Sequence, residues 1–405
     1  MKFCRFDYAV FLLFMAYAVC SLIIPVVLVE VAQDLNFDLD KGGMSAGGIL
    51  QAGRSATMVG AMFVCSMLAC RFGLRRSLAV AAMFMALGIT LAALSQWYWM
   101  LLAVLVIAGI GEGLVEGLAS PFVGELHKDD EPGRYMNFSH GFWSVGIFGC
   151  IPLLGWLLNC NVSWRILCFI VAIGTLIPGI ILFCPGRRRI DRLEGKGRFD
   201  AAGAVKKAWD ILKCRQFWLF FCAMFVAGGG EFGATFWCAS LLRIDYNASP
   251  WIGGMAAAVF SAGMMLGRTG CGLLVSQKNL PRLVMIFAVA GAVLSSLFTV
   301  IGSIAGVMVL LFFVGLASAP FWPSVQSYCV DRLSHLDSTT LYILLSCAGV
   351  PGCGALSVIM GKAGDLWGLR MAFLAVPVCY LILACLIAVD YYLCKGRKNI
   401  SSSCD

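Results

Sequence analysis

Long, uninterrupted apolar runs are the feature that most restricts what this chain can become. Tyr8 to Val31, Ser77 to Leu94 and Val162 to Cys184 are such runs, each nearly free of charge. A helix needs about 20 apolar residues to cross a hydrocarbon layer roughly 30 Å thick. Splitting the chain at its charged and Pro/Gly-rich breaks yields about twelve blocks of that length. Their approximate spans are 8–31, 43–69, 77–95, 100–126, 135–158, 162–184, 215–241, 250–276, 282–302, 304–327, 338–363 and 369–393.

Composition says why these runs are not the core of a soluble protein. Of 405 residues, 60% are apolar and only 13% charged, against about 25% charged in soluble domains. Surface-to-volume scaling gives a soluble fold of this length no way to hide so much apolar surface. The expected fold class is therefore an all-α membrane protein of twelve transmembrane helices. The runs are continuous and do not alternate, which argues against a β-barrel, and the abundant Gly, Ala and Ser suit close helix packing in lipid. The first run lacks a small-residue cleavage site and is followed by more spans, so it reads as a first transmembrane helix and not a removed leader. The 19 cysteines lie mostly inside the runs, without metal-like spacing, and read as small packing residues. No metal site, cofactor or catalytic constellation is expected. The three His are far apart in sequence, which argues against a membrane enzyme.

Basic residues orient the spans, because Lys and Arg near span ends stay on the cytoplasmic side. They cluster at Lys2 and Arg5, at Arg71, Arg75 and Arg76, through the central segment (Arg187, Arg188, Arg189, Arg192, Lys196, Arg198, Lys206, Lys207, Lys213), and at Lys395, Arg397 and Lys398. The alternate loops, 34–40, 96–99, 159–161 and 365–368, are short and poor in base. Both termini are then expected in the cytoplasm, with the protein in a plasma (inner) membrane. The net charge of +8 becomes a topology signal and gives no reason to invoke nucleic acid. Anionic lipid headgroups are one expected contact of the central segment.

That segment, 185–214, is the only long polar stretch. It divides the chain into an N-terminal bundle (1–184), a cytoplasmic linker, a C-terminal bundle (215–394) and a cytoplasmic tail (395–405). Within the linker, Ala201 to Lys213 gathers Ala204, Trp209, Ile211 and Leu212 partly on one face, the pattern of a short interfacial helix. The halves also repeat: a shift of 207 positions overlays Gly47 on Gly254, Ala56 on Gly263, Gly60 on Gly267, Arg71 on Lys278 and Arg75 on Arg282. Parallel repeats of this kind place substrate between them near mid-membrane.

The stretch Ser66 to Arg76 resembles the G-x-L-a-D-r-x-G-R-R loop signature of the major facilitator superfamily. Arg71, Gly73, Arg75 and Arg76 match its cytoplasmic gate motif, while Ser66 and Cys70 replace its first Gly and its Asp. That Asp helps latch the cytoplasmic gate in the family, so the resemblance implies a weaker or differently built latch. A narrower resemblance is to the fucose/glucose/galactose:proton symporters. Gly111 to Val123, with Glu116, Pro121 and Phe122, is similar to their fourth helix. Arg134 to Gly146, with Asn137 and His140, resembles the opening of the fifth. Gly230, Glu231 and Trp237, then Gly263 to Arg268, resemble the seventh and eighth. The first span, Phe11 to Val29, lacks the acidic residue the fucose symporter keeps there, and Trp143 stands in place of a polar side chain.

Ionisable residues at the bilayer centre cost about 2.5–3.5 kcal/mol on insertion scales and demand a partner or a wet cavity. Arg54, Glu112, Glu116 and Glu231 are placed so. Glu112 and Glu116 share a helix face one turn apart, and two carboxylates that close do not both ionise easily without a cation nearby. Arg54 is the expected cation. Glu116, Glu112 and Arg54 are therefore the proton-coupling candidates, set against a static ion pair that fixes helix packing. Glu231, Trp237, Asn137, His140 and Trp143 are the substrate-binding candidates, set against ordinary packing roles for the aromatics and the His. Trp97, Tyr98 and Trp99 have the look of an interfacial belt.

The expected function is secondary transport of a small polar solute, a sugar first among them, by alternating access with proton symport. The partners are then a monosaccharide, a proton and membrane lipid, and the family analogy implies a monomer. Efflux of an amphipathic compound by proton antiport is the alternative within the same fold. The span-five stretch Gly149 to Gly155 departs from the G-P-x-x-G-G of drug antiporters and tilts against it. A transport-dead receptor is the rival from another class.

Overall fold

The computed structural model of the chain describes residues 2–127, 132–184 and 201–401, which are helices and their connections with no strand. The long helices are α1 (Arg5–Val26), α2 (Met44–Phe72), α3 (Leu74–Ala93), α4 (Tyr98–Leu126), α5 (Pro132–Asn159) and α6 (Trp164–Phe183). After the central segment come α7 (Arg215–Asp245), α8 (Pro250–Leu274), α9 (Leu280–Ser296), α10, α11 (Ser338–Trp367) and α12 (Ala375–Ser401). Helix α10 is in two pieces, Ile304–Ser318 and Phe321–Arg332, separated at Ala319 and Pro320. The side chains of Ser66, Cys70, Asn137, Lys395, Arg397 and Lys398 lie outside what the structure describes, as do Arg187, Arg188, Arg189, Arg192, Lys196 and Arg198 altogether.

Helix starts follow from local chemistry. Ser163, Ser249, Ser303 and Asp337 each accept a hydrogen bond from a first-turn N–H, at Arg165, Ile252, Gly306 and Thr340, satisfying donors that the helix itself leaves unpaired. The turn from α2 to α3 and the turn that ends α11 are made at Gly73 and Gly368, both with φ 84°. A side chain at that φ is strained, so glycine is required there.

Among the described residues, eleven helices are long and apolar enough to cross a membrane. The sequence reading of twelve spans includes α2, which at 29 residues is about 43 Å long but is not among the eleven. It carries Gln51, Arg54 and Arg71 along with several Gly and Ser. The reason is position. Helix α2 packs against α4 in its own half and against α11 of the other half, so protein covers much of the surface that lipid covers elsewhere.

Helix contacts repeat between the halves. In the first, α1 packs on α5 and α6, α4 on α2 and α3, and α3 on α6. In the second, α7 packs on α11 and α12, α10 on α8 and α9, and α9 on α12. Each contact in the first set has its counterpart in the second. Two seams then join the halves, α2 with α11 and α5 with α8.

Both seams are tightest at the end remote from the central segment. A Cβ at Gly48 would strike the backbone of Ser357 and Val358, and Gly155 lies against Pro250 and Gly254. The Asp365 carboxylate, at the end of α11, accepts the Met44 and Ser45 N–H groups at 2.8 Å each and the Ser45 hydroxyl as well. An ion pair between Arg243 and Glu30 at 2.5 Å crosses the halves on the same side. Trp97 and Trp99, at the matching end of α3 and α4, are exposed, as a headgroup-level belt requires.

Candidate functional site

The buried charges divide into two sets of different character. Arg54 of α2 and Glu112 of α4 are each 1% exposed. Arg54 Nε donates to Glu112 Oε2 at 2.7 Å, and its Nη2 donates to the other oxygen. Nη2 also donates to the Cys20 carbonyl at 2.5 Å and Nη1 to that of Ser21 at 3.4 Å, while the Ser21 hydroxyl donates to Glu112 Oε1 at 3.2 Å. The forked guanidinium matches the carboxylate, and few donors or lone pairs remain for anything else. This pair is a strut between α1, α2 and α4.

Glu116, one turn nearer the central-segment end of α4, is half-buried and stands apart from that strut. The groups that act on its carboxylate are the Tyr17 hydroxyl of α1 and the Arg268 guanidinium of the opposite half. Arg54, the cation expected beside this pair of carboxylates, meets Glu112 and not Glu116. Arg54 is saturated by Glu112, and the cation facing Glu116 is Arg268.

Arg268 of α8 donates from Nη2 to Glu231 Oε1 of α7 at 3.2 Å, and from Nε to the Ala319 carbonyl at 3.3 Å. That carbonyl has no i+4 helical partner because residue 323 is Pro323, which has no N–H to donate. The pair is looser than the first: Arg268 is 32% exposed and Glu231 13%, and Glu231 Oε2 has no hydrogen-bond partner. An unpaired buried carboxylate oxygen is costly, so this site holds an acceptor ready for a donor. With both Glu116 and Glu231 ionised, the Arg268 site carries one negative charge in excess.

His140 and Ser120 lie beside this set, with His140 Nε2 and the Ser120 hydroxyl 2.7 Å apart and the His140 ring 4.5 Å from that of Phe14. His140 is exposed and sits about 12 Å inside α5. Trp143 is half-buried, and its neighbour Phe142 stacks on Phe11 at 4.3 Å. Trp237 is different. It is fully buried, its indole N–H donates to the Ser357 carbonyl at 3.2 Å, and its ring edge abuts Gly47 of the other half. In this conformation Trp237 is a wedge between the halves.

Comparison with known families decides the identity. The sequence matches the Major Facilitator Superfamily profile over residues 9–339. The chain belongs to the major facilitator superfamily. Solved members have the same fold. The E. coli fucose:proton symporter FucP aligns with a TM-score of 0.66 at 15% identity, over 95% of this chain and 98% of that one. The nucleoside transporter NupG aligns at 0.76 and 12% identity, over 95% and 99%. A bacterial homolog to the human lysosomal transporter Spinster, in an inward-facing and occupied conformation, aligns at 0.72 and 15% identity, over 95% of each. At these identities the likeness is one of fold. A comparison with curated proteins gives no significant match.

Within this major facilitator protein the loop motif between α2 and α3 can be located. Arg71 is exposed, with its guanidinium over the Phe72 ring at 5.4 Å, and Arg76 is exposed as well. Arg75 is buried and donates to the carbonyls of Leu182 at 2.8 Å and Cys184 at 2.7 Å. It thus satisfies the C-terminal end of α6 and ties α3 to α6 inside one half.

Two residues central to this arrangement escaped the sequence reading. Arg268 had a signal, since Gly267-Arg268 in an apolar run echoes Gly53-Arg54 in the first half. Tyr17 had none: a Tyr in an apolar helix looks like any other core aromatic.

Proposed function

We propose that this major facilitator protein carries a small polar solute, a monosaccharide in particular, across its membrane by alternating access with proton symport. In this reading residues 1–184 and 215–394 are the two moving bodies, 185–214 links them in the cytoplasm, and 395–405 is a cytoplasmic tail. The protein works as a monomer in a plasma (inner) membrane. The observation that carries the reading is the Arg268 site: two carboxylates and one guanidinium, drawn from both halves, reachable from one side.

Its charge balance supports symport. One surplus carboxylate takes up one proton and becomes neutral, so a neutral solute loads without a net charge in low dielectric. Glu116 is the proton carrier, with Tyr17 and Arg268 setting the affinity of its carboxylate. The open acceptor on Glu231 receives a substrate hydroxyl, while His140 and Trp143 line the approach and Asn137 remains a substrate-binding candidate by its sequence resemblance. The Arg54–Glu112 pair holds the α1, α2 and α4 geometry on which Glu116 depends. The sugar reading draws on the fold shared with FucP and on the sequence resemblance around Glu116, His140 and Glu231.

One observation favours a second reading, efflux of an amphipathic cation by proton antiport. The same surplus carboxylate accepts a cation as readily as a proton. A thermal-shift screen of the purified protein separates the two, because a ligand that binds the folded state raises apparent stability by mass action. A hexose or deoxyhexose that stabilises the wild type and not Glu231→Ala supports sugar symport. A silent sugar panel with stabilisation by lipophilic cations overturns it.

A further inference from the structure

Among the described residues, the segment between the halves contains one helix, Ala201–Leu212, whose outer face is exposed. Ile211 is completely buried, and the helix packs on α11 and α7. On the other side, Val205 is 68% and Trp209 57% exposed, and with half-buried Leu212 they follow the i, i+4, i+7 spacing of a single stripe. Lys206 and Lys213 are both exposed and seven positions apart, so they flank the same edge of that stripe about 10 Å from one another. Lys213 Nζ lies 5.4 Å over the Trp209 ring. The acidic Asp210 lies on the far side of the two lysines. Lys207 is already engaged, with Nζ 3.1 Å from Asp337 at the start of α11.

The placement of this face is set by the spanning helix that follows it. Trp218, one turn into α7 and 46% exposed, donates its indole N–H to the Leu212 carbonyl at 2.9 Å. That bond pins the short helix to the membrane-boundary end of α7. An apolar stripe with two aromatic side chains and a cationic margin at that level matches the interfacial region of a bilayer. The lysines match the negative charge of phosphodiester headgroups.

We propose that this face is an acidic-phospholipid site. Val205, Trp209 and Leu212 lie at the acyl boundary, Lys206 and Lys213 hold the headgroup phosphate, and Trp209 and Trp218 mark the depth of the helix in the interface. The site is separate from the transport centre and stands whether or not the sugar reading does.

Native mass spectrometry of the full-length protein tests it, after equilibration in detergent with equal amounts of phosphatidylglycerol and phosphatidylcholine. Phosphatidylglycerol is expected to be retained preferentially, less so as salt is raised. Retention should fall about fivefold for each lysine neutralised in Lys206→Gln and Lys213→Gln, and the Lys206→Arg/Lys213→Arg protein should keep it. Equal retention of the two lipids overturns the proposal and leaves the stripe to a protein partner. So does a double Gln protein, folded by thermal melt, that holds phosphatidylglycerol as the wild type does.

Discussion

Two arginines in equivalent helices, Arg54 of α2 and Arg268 of α8, each meet a glutamate, yet the pairs are built for different work. Arg54 and Glu112 have nearly all their donors and acceptors taken. Removing one partner strands the other in low dielectric, so Arg54→Ala should lose about 3–5 kcal/mol of stability, visible as a lower melting temperature and poorer recovery from membranes. Arg268 is partly exposed and its Glu231 partner keeps a bare oxygen. Arg268→Ala should therefore fold nearly as well as the wild type while losing ligand-induced stabilisation. Glu116 is the proton carrier of the proposed cycle, so Glu116→Gln should exchange substrate with a flat pH profile and fail to concentrate it against a gradient. Normal accumulation with an unchanged pH profile in that variant would remove Glu116 from the coupling step.

At the level of elements, the first turn of α2 is tied to the end of α11 by one carboxylate. Asp365 accepts three hydrogen bonds from Met44 and Ser45, with its charge at the positive end of a helix. Loss of a comparable cap costs about 0.5–2 kcal/mol, and here the loss falls on one conformation only. Asp365→Ala should shift the population away from the state closed at this end, read as faster hydrogen exchange at 44–48 without a drop in expression. The α2–α3 turn has the same glycine geometry but Cys70 at the motif's Asp position. At the other end of α11, the Asp337 carboxyl sits below its ordinary range because the Thr340 hydroxyl and N–H, and Lys207, stabilise its charged form. A depressed carboxylate adds stability that is complete above its unfolded value, about 3.9, and is lost as pH falls through the folded value. Acidification below about pH 4 should thus loosen the start of α11 in the wild type. Asp337→Ala should lack that acid-sensitive component in its melting curve.

Taken whole, the molecule is a repeated packing scheme joined along two seams that close at the same end. If the halves rock as rigid bodies, both seams must open together. Hydrogen exchange at 250–254 on the α5–α8 seam should then rise with that at 44–48 when Asp365 is replaced. A rise confined to 44–48 would mean that α2 frays locally, and the rigid-body picture would fail. Shared backbone surfaces at Gly48 and Gly155 argue for the coupled outcome, because close-packed interfaces are bistable and not continuously deformable.

The sequence by itself determined the solvent, the helices and the repeat. Apolar runs of bilayer length leave few alternatives when every backbone polar group must be satisfied internally. It also singled out Arg54, Glu112, Glu116 and Glu231, since a charge in such a run is conspicuous against its surroundings. What it could not contain was which charges meet. Glu112 and Glu116 differ by one turn, and only the crossing of α1, α2 and α4 gives Arg54 to the first and leaves the second to Tyr17 and Arg268. Whether an indole lines a cavity or a carboxylate caps a distant helix depends on how two halves, about two hundred residues apart in sequence, come to rest against each other.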